Sequence, residues 1–388
     1  MLITILAFFL ILSILVLVHE LGHFFVAKMF NIKVEEFGFG FPPRVWSKKI
    51  GETLYSFNLL PIGGFVKLYG EDEAGGGKLS LPVESSKYKV SSKKEILNTK
   101  YLIQNTDLDR AFFAKPIWQR ILVVVAGVFM NFLLAVTLIS FLFASYGAPV
   151  PGGDVVISEV SKNSPAEKAG LSRGDAVLEI DGVKIVSSKD LISITKEKLG
   201  EPITLKIKDQ NSNLKSVTIT PRKKYPPDQG PMGVAIGQKM VIKKYPWHEA
   251  PIVGTKEAIK TSVLILSGLG AVVSQIATTG SVPQGVAGPI GIAQLTGEFV
   301  DSGFYALLSF LALLSLNLAI LNVLPIPALD GGRLFFILIE AVTRRRVHPR
   351  FEAYSHAIGI AVLLALIALI TLHDLGRIIS GQPIIPIE

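Results

Sequence analysis

The sequence predicts a multi-pass α-helical membrane protein with about four transmembrane helices, a membrane-associated β-hairpin or small sheet, and an inserted α+β domain. Three observations carry this reading. Of 388 residues, 49% are hydrophobic, and the mean hydropathy is +0.48. Those apolar residues are gathered into runs near the ~20 residues that a helix needs to cross the hydrocarbon layer. Between the runs, the middle of the chain is polar enough to fold in water.

Residues 1–30 form the first predicted span. The stretch 2–18 has only Thr4 and Ser13 as polar interruptions and leads into His19-Glu20-Leu21-Gly22-His23 without a turn signal. The first basic residue is Lys28, on the far side of the run, and no small-residue cleavage site follows, so the stretch is read as a span and not as a secretory signal peptide. Residues 31–116 form a loop rich in Lys48, Lys49, Lys93, Lys94 and Lys115, which the positive-inside rule places in the cytoplasm. Within it, residues 34–69 alternate apolar and polar positions around Gly and Pro, the pattern of a hairpin or small sheet. The polar insertion at 73–107 carries no readable role.

Residues 117–147 contain the second span, with its apolar run at 121–146. Residues 148–224 read as short strands around one or two helices, an α+β domain on the outside. Residues 225–300 are expected to be a linker followed by an interfacial amphipathic helix. The third span and the motif after it occupy 301–343, with the apolar run at 305–324. A cytoplasmic basic loop at 344–353 holds Arg344, Arg345, Arg346 and Arg350, and residues 354–388 make the fourth span and a tail. Both termini then face outside. The run 261–279 is apolar enough to be considered a fifth span, but Ser262, Ser267, Ser274 and Gln275 interrupt it. A crossing there would also carry the Arg344 cluster outside, so it is expected to lie on the outer surface.

The chemistry begins at His19 and His23. Residues four apart share a helical face, so both imidazoles can aim at one metal while Glu20 sits beside them, the arrangement in which zinc activates water and a carboxylate takes its proton. The plainer alternative is two helix-end histidines with a snorkelling glutamate. It is disfavoured because a carboxylate at membrane depth costs about 2.5–3.5 kcal/mol on insertion scales and is retained where it has a function. The chain contains no cysteine, so zinc ligands are limited to His, Asp and Glu. A third ligand is sought in Asn322-Val-Leu-Pro325-Ile-Pro327-Ala-Leu-Asp330-Gly331-Gly332. Pro325 and Pro327 must break the third span and expose backbone where it lines a cavity. Asp330, delivered by that break, either ligates metal or caps the helix beginning near Arg333. The missing third ligand favours ligation. At 1.5 Å per residue, His19 and Asn322 each lie ~26 Å along their helices, which puts both motifs near the cytoplasmic face.

Together these segments resemble the site-2 protease family of intramembrane zinc metalloproteases (M50), in its bacterial regulator-of-sigma-E protease branch. The resemblance includes His19-Glu-Leu-Gly-His23, Phe37-Gly-Phe-Gly40, the stretch 61–72, Gly127-xxx-Asn131 and the 322–332 motif. It implies Zn²⁺ as cofactor, His19, His23 and Asp330 as ligands, and Glu20 as catalytic base. It also implies that Asn322 and Asn317, with the Pro325 and Pro327 break, bind the extended substrate, and that the small sheet pairs with substrate as an added strand. Val128 stands where many relatives carry proline. Residues 169–185 resemble the core of a circularly permuted PDZ domain, for which peptide binding and steric filtering of substrates are equally open.

The resemblance implies a metalloendopeptidase of the bacterial inner membrane that cuts single-pass transmembrane segments: anti-sigma factors after a first cut, and signal-peptide remnants. Membrane lipid is an expected partner. Nucleic acid is not, because the net charge of +8, from 39 Lys and Arg against 31 Asp and Glu, is placed where cytoplasmic loops need it. The competing class is a PDZ-bearing scaffold or transporter with structural zinc. The open fourth coordination position beside Glu20 favours the enzyme, since structural zinc is closed by four protein ligands.

Overall fold

The computed structural model describes residues 2–71, 107–226, 229–280, 283, 285–345 and 347–381. The insertion read at 73–107 therefore lies outside the described residues except for Asp107. The chain divides into two compact units, residues 1–142 with 247–388, and residues 143–246.

In the first unit, α1 (Leu2–Met29) buries Ile11, Leu15, His19 and Gly22, positions spaced by three and four that make one face. The unit's next regular elements are β1 (Val34–Ile50) and β2 (Thr53–Leu68). They do more than a plain hairpin. Val34↔Leu68 through Phe39↔Gly64 run antiparallel, and Arg44↔Asn58 through Ile50↔Thr53 form a second antiparallel ladder. Between these, Glu36↔Leu54 through Phe39↔Phe57 advance in the same direction. Each strand therefore folds back on itself, near Pro42–Pro43 in β1 and near residues 59–62 in β2. The turn between the strands is clamped by Glu52, which accepts from Lys28 at 2.6 Å and Arg110 at 2.7 Å. The Lys28 bond, reinforced by Arg110, holds the Glu52 carboxyl below the usual carboxylate range.

Helix α2 (Ile117–Ser145) turns Val124, Gly127, Asn131 and Ala135 inward. It runs antiparallel to α1, since Val123 meets His23, Asn131 meets His19, and Leu134 and Leu138 pack near Ile11 and Leu15. The approach is close because a Cβ at Gly22 would lie 2.4 Å from the Ala126 carbonyl oxygen.

The second unit contains α3 (Pro165–Lys168), α4 (Ser188–Glu197), β3 (Ala148–Val160), β4 (Ala176–Ile180), β5 (Val183–Lys184), β6 (Ile203–Lys208), β7 (Leu214–Ile219) and β8 (Val234–Lys243). Its sheet order is β7-β6-β4-β3-β8, with β5 on β4. Helix α4 starts at Ser187, whose side chain accepts from Asp190 N while Asp190 accepts from Ser187 N, a reciprocal cap. Leu191 then enters a core with Ile157, Val177, Ile180, Leu205 and Ile207. The boundary expected at residue 224 is corrected here: residues 234–243, read as linker, form β8 and pair with β3 from Val160↔Val234 to Ala148↔Lys243. Their pattern shows no strict alternation, and their partner lies about 80 residues upstream, so local sequence could not reveal the pairing.

The first unit resumes with α5 (Ala250–Thr279), α6 (Pro289–Asp301), α7 (Phe304–Val323), α8 (Asp330–Thr343) and α9 (Pro349–Ile379). Among the described residues, five helices are long and apolar enough to cross a membrane: α1, α2, α5, α7 and the Arg350–Ile379 part of α9. Their directions separate them. Ile11 and Leu15 pack with Phe310 and Leu311, and His19 meets Asn322, so α7 is parallel to α1. Helix α9 runs the other way, meeting Ala328 with His356 at one end and Gly288 with Asp374 at the other. The chain therefore leaves α2 and enters α7 on the same face, and α5 does not reverse that direction. The segment 261–279 belongs to a 30-residue helix that leans along the bundle, with Gly254 against Ser140 and Ala258 among Ala135 and Leu316.

If residues 234–243 are a structural strand, Ile236→Asp sets a charge against the core on which Ile236 packs, a loss of ~1 kcal/mol or more. Hydrogen exchange at residues 155–157 should then accelerate by roughly fivefold or more, since each 1.4 kcal/mol is about tenfold. Unchanged exchange would return the segment to a linker.

Candidate active site

His19 and His23 stand one turn apart on α1, and Asp330 reaches them from the first turn of α8. Nε2 of His19 lies 3.2 Å from Nε2 of His23 and 2.9 Å from Oδ2 of Asp330, and the remaining side of the triangle measures 3.3 Å. A tetrahedral zinc with arms of ~2.0–2.1 Å holds its ligand atoms ~3.3 Å apart, so the three atoms fit that ion. Among the described residues, the buried Asp330 oxygen has no hydrogen-bond donor, as an atom reserved for a cation should have none. Among the described residues this is the one His and carboxylate cluster with such spacing.

The cap alternative for Asp330 fails. The helix is N-capped by Leu329 with no side-chain cap bond, and Asp330 is already its first helical residue.

Helix α2 orients both rings. His23 Nδ1–H donates to the Val123 carbonyl at 2.7 Å, which leaves Nε2 as the lone-pair nitrogen. Nδ1 of His19 lies 3.3 Å from the side-chain amide nitrogen of Asn131. Asn131 is fully buried and its Oδ1 has no partner among the described residues. Turning its carboxamide over gives that oxygen the Nδ1–H of a histidine that ligates through Nε2, satisfying both groups. Between these contacts sits Gly127, where a Cβ would fall 2.4 Å from His23 Nε2 and 2.8 Å from His19 Nε2.

Glu20 borders two cavities. One, of about 260 Å³, is lined by His23, Phe65, Val66, Glu71, Asp330 and Arg333 among others. The second, of about 220 Å³, is lined by Val16, His19, Leu318, Asn322, Ala328, Leu329 and Asp330. Glu71 is ion-paired with Arg333 and accepts from Leu68 N at 3.2 Å, tying the end of β2 to α8. Residues 64–68 pair only with β1, and a Cβ at Gly64 would lie 3.6 Å from Glu20 Cγ. A strand edge that is unfilled among the described residues thus passes beside Glu20.

The structure brings His19, Glu20, His23, Asp330 and Asn322 together, the last with its amide nitrogen 3.4 Å from His19 Nε2. Asn317 is half-buried on α7 and lines neither cavity. Pro325 is exposed, and Pro327 backs onto α9, where a Cβ at Gly359 would meet its carbonyl oxygen at 2.4 Å. Both prolines shape the break without lining the cavities. Glu71, Arg333 and His356 had no sequence signal of their own, although Glu71 falls in the stretch 61–72.

The model of peptidase family M50 matches residues 7–366. The chain belongs to peptidase family M50. It is 30% identical over 429 residues to the Regulator of sigma-W protease RasP of Bacillus subtilis, covering 97% of this chain and 99% of that protein. It is 33% identical over 364 residues to a putative zinc metalloprotease of Clostridium perfringens, covering 94% and 96%. Among solved structures, the PDZ domain of an SdrC-like protein from Listeria innocua aligns at 27% identity and a TM-score of 0.19, covering 22% of this chain and 94% of that one. This M50 peptidase is a zinc metalloprotease.

Two substitutions test how α2 supports the metal. Gly127→Ala should displace the imidazoles and strip zinc from the folded protein. Asn131→Leu should weaken zinc binding about 10–100-fold, the usual cost of losing a partner behind a ligand. Competition against a chromophoric chelator measures both, and wild-type affinity in either variant would contradict this arrangement.

Proposed function

We propose that this M50 peptidase cuts within membrane-spanning segments of single-pass proteins, as the second cut after their bulky outside portion has been removed. The observation that carries the reading is the position of the centre. His19, Glu20 and His23 lie inside a 28-residue helix of membrane-spanning length and hydropathy, and Asp330 joins them from a break following another such helix. The name of the Bacillus subtilis relative, a regulator of sigma-W protease, supports anti-sigma-factor-type substrates, and signal-peptide remnants have the same chemical form. The basic loops support a reading in which the His19 end of α1 faces the cytoplasm of a bacterial inner membrane, with residues 143–246 outside.

His19, His23 and Asp330 would hold the zinc, which would supply Lewis-acid polarisation of the scissile carbonyl and acidify water. Glu20 takes the proton of the attacking water and passes it to the departing amide nitrogen. A transmembrane helix hides its carbonyls in its own hydrogen bonds, so it must be stretched before attack. The edge at residues 64–68 offers replacement backbone partners beside Glu20, and Asn322 offers an amide donor to a substrate carbonyl.

Residues 143–246 fit a permuted PDZ domain. The apolar groove of about 310 Å³ between α4 and the edge strand β8, lined by Leu191, Ile192, Met232, Val234 and Ile236, supports an extended peptide end as its occupant over a purely steric filter.

Glu20→Gln should abolish cleavage of a reconstituted transmembrane peptide while keeping near-stoichiometric zinc; a substantially active variant would remove Glu20 from the role of base. For the outer domain, Ile192→Arg should slow cleavage of pre-trimmed substrates several-fold if the groove recruits their ends. Unchanged cleavage, joined with new cleavage of untrimmed substrates on deleting the domain, would establish the steric filter instead.

A further inference from the structure

Asp330 owes its position to the break between α7 and α8. Within it, Ala328 has φ of 83°, a left-handed backbone that an alanine rarely adopts and keeps only where the surroundings impose it. Two residues later the chain delivers Asp330 to the imidazoles. The contact that holds Ala328 comes from α9: its N–H donates to Nδ1 of His356 at 2.9 Å. Because a backbone amide can only donate here, Nδ1 must be the acceptor and the ring's proton sits on Nε2. That Nε2 is buried and has no partner among the described residues, so the ring's one directional bond is the one to Ala328. One turn further along α9, Gly359 lets the helix backbone press on the Pro327 carbonyl. The other side of the ring packs on Phe336 of α8, centroid to centroid 5.9 Å.

We propose that His356 is a positioning residue for the metal: by accepting the Ala328 N–H it holds the left-handed turn that aims Asp330 at His19 and His23. The proposal rests on the reading of that centre as the zinc site. The simpler alternative is that His356 only fills space beside Phe336. The two differ in what they require of the side chain. Packing needs bulk, whereas positioning needs an acceptor at the place of Nδ1, which an asparagine carboxamide oxygen can supply and a leucine cannot.

The test uses the purified full-length protein in detergent or nanodiscs, with zinc affinity measured by chelator competition and cleavage of a transmembrane peptide measured alongside. His356→Leu should weaken zinc binding about 10–100-fold and lower kcat more than KM. His356→Asn should stay within roughly threefold of wild type in zinc affinity, the acceptor being restored. Adding Ala328→Gly to His356→Leu should recover part of the lost affinity, since glycine adopts positive φ without strain. Wild-type zinc affinity in His356→Leu would overturn the positioning role, as would equal losses in the Leu and Asn variants. Failure of the parent reading looks different: wild type and Glu20→Gln would themselves hold no zinc, and the inference would fall with it.

Discussion

The near-contact of α1 and α2 at Gly22 and Gly127 governs the rest of the catalytic unit. With Gly22 against the Ala126 carbonyl, the histidines of α1 lie directly on the backbone of α2. On that helix, Val123, Gly127 and Asn131 follow each other at intervals of four and so form one stripe. Along it they present, in order, a carbonyl to His23, open space to both rings, and a carboxamide to His19. Helix packing and ligand orientation are therefore one interaction. A side chain that pushed the helices apart would also turn the imidazoles away from Asp330, which explains why packing by small residues, favoured between helices in lipid, coincides here with the chemistry.

Polar groups among apolar helices are costly unless paired, and most of those in this bundle are paired. Ser315 donates to the Asn131 carbonyl at 2.7 Å, Arg120 reaches Glu340 at 2.7 Å, and Asp374 accepts from Gly288 and Gly291 at the start of α6. Of the buried polar atoms that keep no partner among the described residues, those of Asp330 and Asn131 are the two that adjoin His19. A cation held between the ligands would fill the first, and the proton that His19 would carry when ligating through Nε2 would fill the second. Two separate orphans thus point to one bound state.

How much of this was legible follows from the range of each interaction. His19, Glu20 and His23 are set by helical spacing and could be read directly. So could the break at Pro325 and Pro327, because proline cannot continue a helix. Asp330 was favoured as ligand over cap because a third ligand was missing, although both roles suit an aspartate at a helix start, and its distance to the two histidines supports that choice. Strand β8 escaped reading because its partner lies far upstream, and the doubled path of β1 and β2 because a fold-back at Pro42–Pro43 looks like a loop. Asn317 was named by the family resemblance alone, and it lines neither cavity. His356 carries no local signal at all: its significance comes from a backbone amide on another element.

The two cavities meeting at Glu20 show what a base in this setting must do. Water has to enter a site built among apolar helices, and the cavity walled by Glu71 and Arg333 is the polar side from which it can come. A stretched peptide instead needs a hydrogen-bonding edge and a surface tolerant of apolar side chains, which residues 64–68 and the Val16, Leu318 and Asn322 side of the second cavity provide. A carboxylate that takes a proton from water and gives it to a leaving amide must face both supplies without moving far. Glu20 has that position because it precedes His23 by three residues and follows His19 by one, so the wall between water and peptide is the same helical turn that carries the ligands. In the proposed reaction, separating the two supplies would limit unproductive contact of water with the rest of the membrane-embedded peptide, and stretching onto the strand edge would be the event that brings a bond to Glu20.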